Sequence, residues 1–163
     1  MKKILLALVV IAAAVGVAAW QIPSSAKTAP DVTFTTLEGE QLTTSDLRGK
    51  VVLVKFWATS CVTCIAQMPD NIEHYNALKD RGYDTIAVAM QYDPPNYVKN
   101  FAESRELPFK VAVDATGDIA RAFGDVRLTP TAFLIDKQGN IIRRYLGNYD
   151  KASFLATVDK ALG

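Results

Sequence analysis

Runs of apolar residues separated by polar turns divide the chain into strand-like and helix-like segments that alternate. The run Val51–Trp57 is β-branched and aromatic and is apolar at nearly every position, which is typical of a central strand covered on both faces. Thr85–Met90 is a second run of this kind. Between them, apolar residues recur at helical spacing from Cys61 to Lys79, which predicts an amphipathic helix. Pro69 lacks an amide hydrogen and is expected to kink this helix near its first turns.

The remaining patterns predict shorter elements on either side of this centre. Two strand patterns that flank Glu38-Gly39 predict a small N-terminal hairpin, and a second hairpin is predicted around Gln138-Gly139-Asn140. The predicted elements are strands at 32–36, 41–43, 109–113, 131–135 and 141–146, and helices that begin at residue 93 and cover 118–123 and 151–162. Alternating strands and helices with an antiparallel end indicate an α/β sandwich with a mixed sheet.

The N-terminal segment follows a different pattern. Lys2 and Lys3 precede an uncharged apolar run from Ile4 to Trp20, which is typical of an export signal. Because the run is slightly shorter than the roughly 20 residues that cross a bilayer comfortably, a cleaved signal peptide and a retained anchor both remain open. The lysines place the rest of the chain on the outer side, in the periplasm or at the extracytoplasmic face of the bacterial inner membrane.

Residues 21–30 are rich in Ser, Ala, Thr and Pro and are interpreted as a linker. The predicted organisation is therefore a signal peptide or anchor at 1–20, a linker at 21–30 and one domain at 31–163. The chain has 163 residues, is 50% hydrophobic and carries a formal net charge of +1. A nucleic-acid-binding protein usually has a strong basic excess, and a disordered protein has low hydrophobicity, so this composition argues against both classes.

The candidate chemistry lies in Cys61-Val62-Thr63-Cys64, which contains the only two cysteines and follows the predicted central strand. A disulfide across two intervening residues closes so small a loop that a purely structural role explains it poorly. A tetrahedral zinc site needs four ligands, and His74 is the only histidine available to join the two cysteines, so the sequence argues against such a site. Two free buried thiols remain an alternative, as does a Cu(I) site in which the two thiolates are joined by Met68 or Met90.

Thiol-disulfide exchange fits this pattern best. The amide groups at a helix N-terminus favour the thiolate of Cys61 over the thiol. Cys61 would then attack a substrate disulfide, and Cys64, one helical turn away, would resolve the mixed disulfide by attacking the Cys61 sulfur. The same chemistry runs in reverse, so these residues alone do not distinguish a reductase from an oxidant.

An ordered set of segments around the cysteines carries a family resemblance that spans about residues 32–162. The set comprises Leu47–Val54, Phe56–Thr59, the two cysteines, Pro69, Asp114–Gly117, Thr129–Thr131, and Leu134–Asp136 with Gly139. In these features the sequence resembles the exported TlpA/ResA/CcmG-like thiol-disulfide oxidoreductases of the thioredoxin superfamily. The resemblance implies a thioredoxin fold, a mixed central sheet flanked by helices, with an N-terminal β-hairpin and a helix-containing insertion at about 92–110.

The resemblance also implies a cis Thr129–Pro130 bond beside the cysteines, where the Thr129 backbone pairs with an extended substrate segment. It implies that the Cys61–Cys64 disulfide is the redox group, with no other cofactor and no metal. The implied activity is reduction of protein disulfides, in cytochrome c or copper-site (oxidase) maturation, with client proteins and a membrane electron donor of the thiol-reductase type as partners. A Cu(I)-handling protein and a DsbA-like oxidant are the alternatives.

Three residues near the cysteines depart from the family pattern and are candidates for tuning the site. Ser60 stands where relatives commonly carry Trp, and its hydroxyl is expected to cap the following helix. Gln67 stands where ResA-type relatives carry an acidic residue, and Lys55 stands where thioredoxin keeps a buried acid. We hypothesise that the Lys55 ammonium stabilises the Cys61 thiolate, with a lysine that extends to solvent as an equal alternative.

Two further side chains are assigned more conservatively. Trp57 ends the central strand and is expected either to pack in the core or to shield the thiols. His74 lies more than two turns beyond Cys64, so a position on a solvated helix face is favoured over a role as catalytic base.

Peroxiredoxins share the superfamily fold, but they place Thr or Ser three residues before the reactive cysteine, where this chain has Ala58. The sequence therefore argues against peroxidase activity.

Overall fold

The computed structural model describes residues 27–163. The predicted export segment at 1–20 and the first part of the predicted linker lie outside the described residues. Within the described part of the chain, no helix combines the length and the apolar character needed to cross a bilayer.

A six-stranded mixed sheet forms the centre of the domain, with strand order β1-β8-β7-β4-β5-β6. The central strand β4 pairs in parallel with β5 and antiparallel with β7, and β2 and β3 form a separate antiparallel hairpin. The strands are β1 (Lys27–Thr28), β2 (Thr33–Thr35), β3 (Gln41–Thr43), β4 (Val51–Trp57), β5 (Tyr83–Ala89), β6 (Lys110–Val113), β7 (Thr131–Ile135) and β8 (Asn140–Leu146).

Between residues 27 and 163, five α-helices flank this sheet. They are α1 (Val62–Ala66), α2 (Met68–Leu78), α3 (Pro95–Ser104), α4 (Asp118–Ala122) and α5 (Lys151–Leu162), and short 3₁₀ turns cover Ser45–Leu47 and Lys79–Arg81. The predicted thioredoxin fold is confirmed, including the N-terminal hairpin and the helix α3 in the insertion before β6.

The predicted helix from Cys61 to Lys79 is divided into α1 and α2 at Gln67. Pro69 occupies the first turn of α2, where its missing amide hydrogen costs little because helix-starting amides have no partner within the helix. The prediction of one helix kinked by Pro69 is therefore replaced by two helices, and Pro69 lies in the first turn of the second.

The interpretation of residues 21–30 as an unpacked linker is wrong for the last residues of that segment. Lys27 and Thr28 pair antiparallel with Ile141 and Asn140 of β8, and the Ala29 amide donates to the Gly139 carbonyl at 2.9 Å. Strand β8 would otherwise present unpaired backbone groups along this edge, and the short β1 strand satisfies some of them.

All seven residues of β4 are buried, which confirms the prediction of a strand covered on both faces. On one face, Val54 and Phe56 pack beneath the β2–β3 hairpin; on the other, Leu53 packs against α5. Lys55 shares the second face with Leu53 and Trp57, because alternate strand residues point the same way. The strand therefore delivers its last residues, rigidly held, to the loop that carries the two cysteines.

Candidate redox site

The two cysteines form a disulfide at the start of α1, with their Cα atoms 5.2 Å apart. Cys61 is partly exposed and occupies the N-cap position, whereas the Cys64 side chain is fully buried. The Cys64 amide donates a hydrogen bond to the Cys61 sulfur at 3.2 Å. An amide hydrogen held in this position favours negative charge on Cys61 once the disulfide is reduced. The accessible sulfur is therefore also the one best placed to exist as a thiolate.

The helix cap differs from the prediction. Ser60 lies exposed in the turn before α1 and does not cap the helix, because α1 begins after Cys61 and the cysteine sulfur takes the capping position. The Cys61 amide donates to the Ala58 carbonyl at 3.1 Å, which closes the turn that brings the chain from β4 into the helix. The prediction that the Ser60 hydroxyl caps this helix is thus wrong.

The Thr129–Pro130 bond is cis, as the resemblance implies. The Pro130 carbonyl accepts a hydrogen bond from the Gly147 amide at 2.8 Å, and the Thr131 hydroxyl donates to the Leu128 carbonyl at 2.7 Å. Among residues 27–163, the Thr129 backbone amide and carbonyl take part in no backbone hydrogen bond. These two groups are free to pair with another chain.

Lys55 is buried, with 1% of its surface exposed, so the alternative in which it extends to solvent is wrong. Its Nζ donates to the Gln67 Oε1 at 2.6 Å and lies 6.0 Å from the centroid of the Tyr149 ring. Burial lowers the pKa of Lys55 to about 7, and the carboxylate of Asp70 opposes this shift. Burial therefore disfavours the charged ammonium form of Lys55.

Gln67 links Lys55 to the cis-proline loop. Its Nε2 donates to the Gly147 carbonyl and to the Asn148 Oδ1, both at 3.1 Å, and the Gly147 amide in turn holds the Pro130 carbonyl. An amide side chain supplies both the acceptor that Lys55 needs and the donors that Gly147 and Asn148 need, whereas a carboxylate supplies only acceptors. The two predicted tuning residues thus act on each other and connect the helix after Cys64 to the cis-proline loop.

Trp57 packs in the core, which is one of the two alternatives considered for it. Its side chain is fully buried, tilts against Phe101 with ring centroids 5.2 Å apart, and belongs to the same apolar cluster as Cys64 and Met68. Shielding of the thiols by Trp57 stays a prediction.

The prediction of a solvated His74 is wrong. The imidazole is 3% exposed and stacks on Phe154 of α5, with ring centroids 5.2 Å apart. Burial lowers the pKa of His74, and the nearby positive charge of Lys151 lowers it further. Apolar residues of α2 and α5 pack together at this point, and His74 is buried because it lies between them.

Within residues 27–163 there is no cluster of three or more His, Cys, Asp or Glu side chains that could hold a metal ion.

Four exposed apolar side chains lie within or next to the segments that carry the disulfide and the cis-proline loop; we call them the apolar rim. Val62 lies between the cysteines, Leu128 precedes Thr129, Leu146 pairs with Thr131, and the Tyr92 hydroxyl lies 3.4 Å from the Thr129 hydroxyl. Their exposed fractions are 83% for Val62, 64% for Leu128, 56% for Leu146 and 55% for Tyr92.

Sequence reasoning missed Asp93, which is buried and accepts two hydrogen bonds from Thr59 in the turn before Cys61. It also missed the contribution of Gly147 and Asn148. Aspartate after a buried strand is common in loops, and no local pattern in this segment reveals a partner more than thirty residues away in the chain.

Comparison with known proteins agrees with this geometry. A family model described as Redoxin matches residues 24–162. The thiol-disulfide oxidoreductase ResA of Bacillus thuringiensis subsp. konkukian is 38% identical over 125 residues, which cover 77% of this chain and 71% of that protein. ResA of Geobacillus kaustophilus is 37% identical over 124 residues, covering 76% and 70% of the two chains.

Solved structures share the fold. A thiol:disulfide interchange protein of the thioredoxin family from Chlorobium tepidum superposes with a TM-score of 0.77 and 30% identity, covering 86% of this chain and 99% of that one. The exposed lipoprotein thioredoxin Etrx1 of Streptococcus pneumoniae superposes with a TM-score of 0.70 and 29% identity, covering 80% and 98%.

Proposed function

The chain belongs to the Redoxin family and is a thiol-disulfide oxidoreductase, and from this premise we propose that it reduces disulfides of client proteins outside the cytoplasm. In this proposal Cys61 is the nucleophile, Cys64 is the resolving cysteine, and Thr129 and Pro130 form the surface on which the client segment lies. The observation that carries the assignment is the asymmetry of the pair: Cys61 is accessible and accepts the Cys64 amide hydrogen, whereas Cys64 is buried.

Electrons and atoms balance over two exchange steps. The Cys61 thiolate of the reduced protein attacks one sulfur of a client disulfide, and the other client sulfur leaves as a thiolate. Cys64 then loses its proton and attacks the Cys61 sulfur, which releases the client's remaining sulfur and forms the Cys61–Cys64 disulfide. Two electrons pass to the client, so a separate donor must restore the dithiol before the next cycle.

The surface around the cysteines favours a protein disulfide as the substrate and not a small-molecule disulfide. The free backbone groups of Thr129 can add an extended segment by strand pairing, and the apolar rim provides contacts for side chains that flank a client cysteine. A small disulfide would use neither feature.

The family supports the partners and the location that we propose. We propose a membrane electron donor of the thiol-reductase type and clients in cytochrome c or copper-site maturation, with the protein held by, or cleaved from, its N-terminal segment. The similarity to ResA and to a lipoprotein thioredoxin named as exposed supports a position outside the cytoplasm. The cysteine pair is the only redox group in this proposal.

Lys55 and Gln67 are proposed to tune the potential of the pair. Gln67 lies one helical turn beyond Cys64, at the junction of α1 and α2, and its Oε1 accepts a hydrogen bond from the Lys55 amine at 2.6 Å. A positive charge in this low-dielectric region stabilises a thiolate more than a thiol. The ammonium form of Lys55 therefore favours the reduced protein.

The proposal is tested by trapping with a defined client, an oxidised synthetic peptide in which two cysteines are separated by two residues. The reduced Cys64→Ser variant is expected to accumulate a mixed disulfide with this peptide, because no resolving thiol remains. The Cys61→Ser variant is the matched control and should accumulate far less, because its only thiol is buried. Equal trapping by both variants, or no peptide reduction by the wild-type protein, would contradict the assignment.

A further inference from the structure

We infer that the segment Met90–Pro94, which we call the brace, holds the disulfide loop and the cis-proline loop in their reactive arrangement, and that Asp93 is its positioning residue. The inference rests on the proposed function, because it concerns the reactivity of Cys61. None of the brace residues belongs to the cysteine motif or to the cis-proline loop, and the exchange chemistry described above does not use them.

Asp93 makes the shortest hydrogen bonds of the brace. Its side chain is 3% exposed; its Oδ2 accepts the Thr59 amide hydrogen at 2.6 Å, and its Oδ1 accepts the Thr59 hydroxyl hydrogen at 2.5 Å. Thr59 lies two residues before Cys61, inside the turn that the Cys61 amide closes on the Ala58 carbonyl. Both carboxylate oxygens therefore fasten the backbone that presents the nucleophilic sulfur.

The brace also contacts the end of β4 and the loop that precedes Pro130, and one hydrogen bond closes the turn within it. The Met90 amide donates to the Trp57 carbonyl at 3.0 Å, which joins the brace to the end of β4. The Asp93 amide donates to the Met90 carbonyl at 2.9 Å and closes the turn within the brace. On the other side, the Tyr92 hydroxyl lies 3.4 Å from the Thr129 hydroxyl. One short turn thus contacts the loop before Cys61 and the loop that precedes Pro130.

The burial of a carboxylate at this place needs an explanation. Removing a carboxylate from water is costly unless ions or hydrogen bonds replace the water. Buried Asp84 has Lys50 as its ionic partner at 3.0 Å, and buried Asp114 accepts two amide hydrogens at the start of α4. Asp93 has no ionic partner among residues 27–163, and both of its oxygens bind Thr59.

The consequence concerns the hydrogen bond that activates Cys61. In the disulfide form the Cys64 amide lies 3.2 Å from the Cys61 sulfur. Once the disulfide is reduced, no covalent bond fixes that sulfur, and its position depends on the turn from Ala58 to Cys61. Without the two bonds from Asp93, Thr59 is free to move, and the Cys61 sulfur leaves the position in which the amide stabilises its charge. Small displacements of a reacting group lower rates strongly.

The test compares three variants of the full chain: Asp93→Ala, Asp93→Asn and Asp114→Ala. The readouts are the rate at which iodoacetamide alkylates the reduced protein at Cys61 between pH 5 and 9, and the rate of exchange with the oxidised peptide described above. Asp93→Ala is expected to slow both reactions about tenfold near neutral pH and to move the alkylation profile to higher pH.

Asp93→Asn should stay within about twofold of the wild-type rates, because the amide can accept the Thr59 amide hydrogen and donate to the hydroxyl. Asp114→Ala removes a comparable buried carboxylate that bonds neither active-site loop, so it should lower the unfolding temperature without changing either rate. Should Asp93→Ala fail to fold, Thr59→Val takes its place; it deletes only the hydroxyl bond and is expected to slow alkylation about threefold.

Several outcomes would overturn the brace. The first is that Asp93→Ala, or Thr59→Val if that variant takes its place, reacts at the wild-type rates. The second is that Asp93→Asn is slowed as much as Asp93→Ala. The third is that Asp114→Ala is slowed as much as Asp93→Ala. A wild-type protein that does not exchange with the peptide would instead overturn the proposed function, and the alkylation profile would still report on the brace.

Discussion

At the scale of single residues, the chain buries a lysine where a thioredoxin-type site is expected to keep an acid. Lys55 is buried without a carboxylate partner, and its amine is held by the neutral Gln67. Such an amine destabilises the fold when it is charged, but it also lowers the free energy of a nearby thiolate. We propose that Lys55 is present for its effect on the cysteines and not for packing.

Replacing Lys55 by Met is expected to raise the pKa of the Cys61 thiol and to shift the reduction potential to a more negative value. The physical reason is that the variant removes the positive charge that stabilises the reduced form. The thiol pKa is read from the pH dependence of alkylation, and the potential from equilibration with thiol buffers.

The matched control for this variant is Lys99→Met, which removes an exposed lysine that lies 3.9 Å from Glu103 on α3. It should leave both quantities unchanged. An unaltered thiol pKa in Lys55→Met would show that Lys55 does not act on Cys61.

Sequence reasoning identified the cysteines, Lys55 and Gln67 at this scale, because each stands at a recognisable position relative to the motif. It did not show that Lys55 and Gln67 touch, since that contact depends on how α2 lies across β4. Asp93 was missed for the same reason: its partner Thr59 comes close only when β4 and β5 pair in parallel.

At the scale of secondary-structure elements, the strands were predictable and the helix boundaries were less so. The bounds of β4 and α5 agree with the pattern of apolar residues, because both elements bury a complete face. The break between α1 and α2 was not visible in the apolar pattern, which continues through Gln67. The short strand β1 lacks any apolar alternation, and it forms because β8 offers a free edge.

The contact between α2 and α5 is expected to make stability depend on pH. His74 stacks on Phe154 and has a pKa below the value of about 6.5 for an unfolded chain, so the unfolded state takes up a proton first as the pH falls. The charged groups facing it are Lys55, Asp70, Glu73 and Lys151, of which the two carboxylates favour the protonated form. The free energy of unfolding should therefore decrease from pH 7 to pH 5.

The measurement is urea denaturation of the wild-type protein and of His74→Leu at pH 7 and pH 5. The variant should lose less stability between these two values, because it has no imidazole to protonate in the unfolded state. Equal losses in the two proteins would exclude His74 as a source of the acid sensitivity.

At the scale of the whole molecule, the mixed sheet brings the cysteine loop, the brace and the cis-proline loop to one edge. Parallel strands β4 and β5 end there, followed by the cysteine loop and the brace, and antiparallel β7 begins there directly after Pro130. The apolar rim is drawn from the segments around this edge. Fold and redox motif were both predictable, whereas the rim and the brace required knowledge of which loops meet.

The rim is expected to matter for protein clients and not for small thiols. Changing Leu128 to Asp should slow exchange with the oxidised peptide by about tenfold or more, because it puts a charge where the client's apolar side chains pack. Reduction of the Cys61–Cys64 disulfide by dithiothreitol should change little. An equal effect on both substrates would show that Leu128 acts on the cysteines and not on the client.

The measurement that tests the central claim most directly is the reduction potential of the Cys61–Cys64 pair, obtained by equilibrating the protein in thiol buffers and alkylating the free cysteines. A protein that reduces client disulfides is predicted to have a potential near that of thioredoxin, about −270 mV. A potential near that of DsbA, about −120 mV, would contradict the account, because the pair would then oxidise its clients.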